Sequence, residues 1–324
     1  MMKILNTQIR AGKTYVLNMD IARLHTHTKI EVPVIIERAK EKGPVILFTA
    51  GIHGDEINGV EIVRQIITKK YNIPERGAII CVPLLNVFGF LNQRREFPDG
   101  RDLNRVFPGS RAGSLASRFA FYLMNEIVPL VDYCIDYHIG GADRFNFTQL
   151  RINEEDEEVL ELAKQFGVKF IKVSHNTTST FRYSASKKGK KVIVFEGGKS
   201  LYLSKSVTES GLQGAVRMIY KLKLRDFSKL ISEFPKPEQP IVINDSIWVR
   251  AKYSGIFRLY STIGSFVSSG DVLGSISDPF GSFEKPVKAT YSGYVISSNP
   301  VSYTHLRAHE TVLDIVCRLL LEKK

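Results

Sequence analysis

No apolar run approaches the roughly 20 residues that a membrane-spanning helix needs, and residues 1–15 lack the apolar core of a signal peptide. Both absences lead us to expect a cytoplasmic protein with no membrane partner. Cysteine is scarce too. Cys81, Cys134 and Cys317 are an odd three with no CxxC pair, which leaves neither a disulfide framework nor a cysteine zinc knuckle. Any metal must therefore use histidine and carboxylate. Basic stripes are also missing: 45 basic residues against 33 acidic ones give a formal charge of +12, yet they are scattered along the chain. Nucleic acid is thus not the expected partner, while a preference for acidic small molecules stays open. The densest cluster, Lys187-Lys188-Gly189-Lys190-Lys191, reads as a solvated turn before a strand.

What the chain does have is a globular composition, 44% hydrophobic and 24% charged over 324 residues, enough for about two domains. Val32 to Arg38 and Val45 to Gly51 are β-rich runs joined by a polar turn, which predicts a hairpin. After His53-Gly54-Asp55-Glu56, the spacing of Val60, Ile62, Val63, Ile66 and Ile67 predicts a helix over Asn58 to Lys70. Further strand-like runs lie at Ala78 to Leu85, Val131 to Tyr137 and Lys191 to Phe195, with helical patterns at Ser114 to Leu130, Glu154 to Phe166 and Thr208 to Leu224. This alternation predicts an α/β fold: a mixed, largely parallel sheet with helices on both faces. The acidic Glu154 to Glu158 run reads as the first turn of its helix.

Composition changes after Leu230, so residues 1–232 are expected to form the α/β domain and the Pro-rich 233–240 a stiff linker. Residues 241–301, punctuated by glycine about every ten positions, predict a small all-β domain. From Ser302 to Lys324 the rhythm breaks. That stretch reads as an unrelated helical tail and looks like translated adapter or vector sequence, which would replace the natural C-terminus; a true C-terminal helix is the alternative. His305 and His309 stand four apart in it without the HExxH order or a third ligand, and receive no role.

Four reactive residues fall where a parallel sheet would gather them: His53 and Glu56 after one apolar run, His138 ending a second and Glu196 ending a third. In open α/β sheets ligands bind beyond the carboxyl ends of the strands. Two histidines and a glutamate suit tetrahedral zinc with a fourth position for water. Taken singly, each histidine could be a hydrogen-bonded structural residue and Glu56 a helix cap. Gly51, Gly54, Gly140 and Gly141 permit tight turns around them. Asp136, two before His138, projects from the same strand face; it either orients the imidazole or pairs with an arginine. Glu196 ends so apolar a strand that it must work or be paired, and it is the candidate for moving protons in amide hydrolysis. The Arg- and Asn-rich segment from Arg94 to Gly109 suits carboxylate binding and oxyanion stabilisation, or is a solvated loop.

Gly51-Ile52-His53-Gly54-Asp55-Glu56, Asp102-Leu103-Asn104-Arg105, Asp136-Tyr137-His138-Ile139-Gly140-Gly141 and Phe195-Glu196-Gly197-Gly198, in this order, resemble the succinylglutamate desuccinylase/aspartoacylase family, relatives of the zinc carboxypeptidases. The match spans about Val45 to Asn299. The resemblance implies a zinc-exopeptidase-like α/β domain followed by a small β domain, zinc on His53, Glu56 and His138, and Glu196 as general base and acid. It also implies Asn104 and Arg105 on the substrate carboxylate and an upstream arginine polarising the scissile carbonyl, Arg95 being favoured over Arg94 and Arg101. Arg151 sits where relatives carry another substrate-facing arginine, although Thr148 replaces their usual proline. The implied reaction is hydrolysis of an N-acyl amino acid to a carboxylic acid and a free amine; a homo-oligomer stays open.

A zinc carboxypeptidase acting on peptides is the nearest competing activity. From a different class, Val249 to Ser298 resembles a lipoyl or biotinyl carrier barrel, but its hairpin tip, Asp278-Pro279-Phe280-Gly281-Ser282, has no lysine to modify. The segment therefore reads as a cap on the site.

Overall fold

The computed structural model describes residues 2–23, 27, 29–141, 144–153, 156–174, 177–299, 303–304 and 315–321. The first part of the chain runs β1 (Lys3–Ile4), β2 (Thr7–Gln8), β3 (Lys13–Arg23), β4 (Lys29–Arg38), β5 (Glu41–Ala50), α1 (Ile57–Thr68), β6 (Arg76–Val82), α2 (Val87–Leu91) and α3 (Leu115–Tyr122). It continues through β7 (Tyr133–Gly140), β8 (Phe145–Ile152), α4 (Glu157–Phe166), β9 (Phe170–Val173), α5 (Phe181–Lys187), β10 (Lys191–Lys199), α6 (Lys205–Lys221) and α7 (Ser228–Ser232).

At the centre of the large sheet β6, β5, β7 and β10 lie side by side and parallel. Their runs are apolar on both faces because both faces are covered. Ile46, Phe48 and Ala50 of β5 join Ile135 and Tyr137 of β7 and Phe195 of β10 in one core, under α1, α4 and α6. Leu47, Cys134 and Val192, offset by one residue, enter the opposite core with Phe119 of α3 and Phe181 of α5. The period of two thus feeds two hydrophobic layers. Phe48, Phe166 and Phe195 are fully buried, each contributing about 1.5–3 kcal/mol relative to exposure.

Three expectations need correction. Val32–Arg38 and Val45–Gly51 are not a hairpin: β6 lies between β4 and β5, antiparallel to the first and parallel to the second. The hairpin partner of β4 is β3. Nor is the sheet largely parallel: besides β6, β5, β7 and β10, only β8 with β9 and β9 with the strand Ile241–Ile243 pair parallel among the described strands, while β4 pairs antiparallel with β3 and β6, and β8 runs antiparallel to β10. The apolar runs that announce a strand carry no sign of its direction.

The C-terminal part comprises β11 (Ile241–Ile243), β12 (Asp245–Arg250), β13 (Gly255–Leu259), β14 (Phe266–Val267), β15 (Val272–Ser277), β16 (Glu284–Lys288), β17 (Gly293–Ser298), β18 (Tyr303–Thr304) and β19 (Ile315–Leu321). It has its own core around Val249, Leu273, Ile276 and Val295. It is joined to the large sheet, however, by β11 on β9 and β17 on β8. The third correction concerns the tail. Ile315–Leu321 is a strand between β12 and β17, with Cys317 and Leu319 buried, not a helix. Residues 305–314, with His305 and His309, lie outside the described residues. Asp156 caps α4 through the Val159 amide with Glu157 and Glu158 in its first turn, as the acidic run predicts; residues 154 and 155 are likewise outside.

Candidate metal centre and active-site cleft

Strand register assembles the rim. Ala50 is paired with Tyr137, and His138 with Glu196, so the ends of β5, β7 and β10 stand level. Gly51, at φ +62°, turns the chain out of β5 in a left-handed conformation that side chains disfavour. Two residues on, His53 faces His138 with ring centroids 5.3 Å apart. Between them is Glu56, whose Oε1 lies 2.6 Å from His53 Nδ1 and Oε2 3.1 Å from His138 Nδ1. The Ile139 amide donates to the same Oε2 at 3.2 Å. Although Glu56 directly precedes α1, it makes no capping hydrogen bond; the helix-cap alternative is excluded.

These three buried residues can each offer one ligand atom within 4.8 Å of the others. The second nitrogens decide the fit. His138 Nε2 is 2.8 Å from Asp136 Oδ2, and His53 Nε2 is 3.0 Å from Asp102 Oδ1. A proton held on Nε2 by each carboxylate leaves the Nδ1 lone pair facing Glu56, the arrangement in which outer carboxylates orient metal-binding imidazoles. Two imidazoles and a carboxylate form a zinc-type donor set. Burial lowers the His138 pKa, but Asp136 and Glu56 outweigh it and raise it well above the usual range. Burial likewise pushes Glu56 up, and the two histidines overcome it and hold the carboxyl well below its ordinary value. The spot draws positive charge.

Asp136 is held in turn by the Thr49 hydroxyl, which donates to its Oδ1 at 2.8 Å from the register-matched position on β5. Of the two alternatives for Asp136, contact with the imidazole is the one observed. Neither Thr49 nor Asp102 was singled out as a support for the histidines. Asp102 lies 49 residues from His53, and no spacing in the sequence ties them together.

Glu196, beside His138 on β10, shares a cleft of about 300 Å3 with the three candidate ligands. Its Oε1 is 2.9 Å from an Arg151 amino group and its Oε2 accepts from Asn146 Nδ2 at 2.9 Å. Arg151, expected to face substrate, therefore grips Glu196 as well as lining the cleft. Arg95 also lines it, its guanidinium on Asp102 at 2.9 and 3.1 Å and 3.6 Å from Glu56 Oε1. Arg94 and Arg101, by contrast, are exposed and absent from the cleft wall. Asn104 uses its side-chain carbonyl to accept the Phe181 amide at 2.8 Å, which leaves its NH2 as the donor a carboxylate can use. Arg105 is exposed at the rim.

The cleft also contains residues that no motif flagged: Arg144, Arg182, Trp248 and Arg318. Six arginines against three carboxylates make its described lining cationic. Burial and then Arg151 bring the Arg182 pKa down to about 10. Trp248, on β12, carries the C-terminal segment into the cleft wall.

Among the described residues no helix is long and apolar enough to cross a membrane. Solved structures share the fold over nearly the whole chain. A succinylglutamate desuccinylase/aspartoacylase from Rhodobacter sphaeroides superposes with a TM-score of 0.81 at 21% identity, covering 99% of each chain. The product-bound ectoine utilization protein EutE (DoeB) from Ruegeria pomeroyi gives 0.82 at 20% identity, covering 99% of this chain and 98% of that one. In sequence, the chain is 28% identical over 274 residues to the N-alpha-acetyl-L-2,4-diaminobutyric acid deacetylase of Halomonas elongata, covering 80% of this chain and 78% of the relative. The model of the succinylglutamate desuccinylase/aspartoacylase catalytic domain matches residues 42–222, more than half the chain and the span that holds His53, Glu56, His138 and Glu196; the chain belongs to that family.

Proposed function

We propose that this chain is a zinc-dependent deacylase that hydrolyses the amide bond of an N-acyl amino acid. The observation that carries the reading is the meeting of His53, Glu56 and His138 within 4.8 Å, with Glu196 register-matched to His138 on the wall of the same cleft. Zinc on this donor set would supply Lewis-acid polarisation of the acyl carbonyl and acidify water to a pKa of about 7.

The chain's own residues supply the rest. Asn104 and Arg105 hold the amino-acid carboxylate, a planar anion that a guanidinium grips through two donors. The Arg95 guanidinium, fixed by Asp102, donates to the oxygen that becomes negative as the carbonyl carbon turns tetrahedral, where one donor is worth about 10² to 10³ in rate. A Glu196 carboxylate oxygen takes the proton from the attacking water and returns it to the leaving nitrogen as the C–N bond breaks, so that acid and amine depart with protons balanced. Arg151 and Asn146 hold Glu196 in position for both transfers.

Metal analysis of the purified chain combined with a panel of N-acetyl and N-succinyl amino acids beside short peptides tests the reading. Stoichiometric zinc and release of free amine from the N-acyl amino acids are expected. Cleavage confined to peptides would replace it with a carboxypeptidase, and absence of bound metal in an active enzyme would end it.

A further inference from the structure

Gln149 of β8 is wholly buried, and neither its Nε2 nor its Oε1 has a hydrogen-bond partner. Taking an amide out of water without replacing its hydrogen bonds costs stability that an apolar side chain of similar size would not. A buried polar group left in that state needs a reason.

Register supplies one. Gln149 is paired with Glu196 on β10 and with Phe170 on β9. The adjacent pair, Leu150 with Phe195, enters the core under α1, α4 and α6, so Gln149 and Glu196 project together from the opposite face. On that face Arg151 and Val194 line the cleft. Directly opposed side chains on one sheet face have Cβ atoms about 4.5–5.5 Å apart, within the reach of two side chains of this length. Phe170 sits in an apolar cluster with Ile243 and Ile296 and offers no hydrogen bond. Of the two register partners, only Glu196 can use the amide.

The groups already on Glu196 are donors, an Arg151 amino group at Oε1 and Asn146 Nδ2 at Oε2. Donors suit the carboxylate. Between the two transfers, however, Glu196 carries the proton, and the O–H of the acid needs an acceptor, which a guanidinium does not have. An amide has both kinds of atom. Which end of Gln149 faces Glu196 is immaterial, since both atoms are unbonded and a half-turn about the last side-chain bond exchanges them.

We propose that Gln149 is a positioning residue that accepts the hydrogen bond of protonated Glu196 from behind the cleft wall and keeps the acid in place until it returns its proton. This rests on the reading of Glu196 as the proton-transfer carboxylate and deepens it. The proton of the attacking water passes to Glu196, the new O–H turns onto Gln149 Oε1, and rotation about the C–O bond presents it again to the leaving nitrogen. Gln149 itself neither gains nor loses a proton.

The test replaces the amide by apolar side chains of similar size, Gln149→Met and Gln149→Leu. A residue kept for turnover at a cost in stability gives two opposite changes. Tm is expected to rise by about 2–4 °C while kcat on the N-acyl amino acid hydrolysed best falls about tenfold, with KM and bound zinc unchanged. A fall in Tm together with loss of zinc would make Gln149 a packing residue, and wild-type kcat in both variants would leave it no part in the transfer; either result overturns the inference. A second readout needs no turnover. In the acid-minus-neutral infrared difference spectrum, the carboxylic-acid C=O band that disappears in Glu196→Gln is expected at higher frequency in Gln149→Met, because its O–H has lost an acceptor; an unmoved band overturns the inference. Full turnover by Glu196→Gln instead ends the reading on which it rests. If no N-acyl amino acid is hydrolysed, the deacylase reading fails, and the infrared band still decides whether Glu196 and Gln149 meet.

Discussion

The rim formed by His53, Glu56 and His138 and the arginine-rich wall of the same cleft solve the problem of buried charge in different ways. At the rim, every charged group has its partner inside the protein: Glu56 lies between two imidazoles, and Asp136 and Asp102 stand behind them. Along the wall, Arg144 and Arg182 hydrogen-bond to neutral oxygens, and Arg151 pairs with Glu196. A cluster whose charges are matched internally is held in place, whereas a wall with more guanidiniums than carboxylates keeps a net positive charge.

If that contrast is right, substitutions at the rim should be read in metal content and those at the wall in KM. The largest effect is expected from His53→Ala, which should lose bound zinc and reduce hydrolysis to background, checked by metal analysis and assay of the same sample. Glu196→Gln should retain stoichiometric metal while kcat falls about 10²- to 10⁴-fold; full turnover by this variant would remove Glu196 from its role and blur the division. Asp102→Asn and Asp136→Asn should each weaken zinc binding by about 10- to 100-fold, measured by chelator competition, with Asp102 testing whether the support for His53 matches that for His138. Arg105→Gln should raise KM about tenfold with metal content unchanged. Arg101→Ala, at an exposed side chain paired only weakly with Asp99 at 4.0 Å, should change stability by less than about 0.5 kcal/mol and neither readout; a rise in KM there would extend the wall beyond the cleft.

The reactive residues were legible because each sits at the end of an apolar run. Val45 to Ala50, Cys134 to Tyr137 and Val192 to Phe195 declare buried strands, and the residues just past the carboxyl ends of such strands face the ligand edge of a sheet. Arg95, Arg94 and Arg101 could not be separated that way, since three arginines within eight residues look alike until the fold brings one of them within 3.6 Å of Glu56. Asp102 as the partner of His53, Asn146 on Glu196 and Arg182 in the wall carry no local signal at all, because their contacts bridge 49, 50 or more residues of intervening chain or depend on how α5 packs.

Local chemistry, then, was sufficient to mark the three strands that end at the site and to bring forward the candidate ligands and Glu196, since side-chain period and strand-end position are properties of short stretches, but β8 and α5, which also line the cleft, went unmarked. Strand direction was not marked either, and β6 entering between β4 and β5 and a strand at Ile315–Leu321 were decided only in three dimensions. Pairing partners are chosen by long-range closure of the sheet, and the charge balance of a cleft is a sum over residues that meet only when that closure is complete.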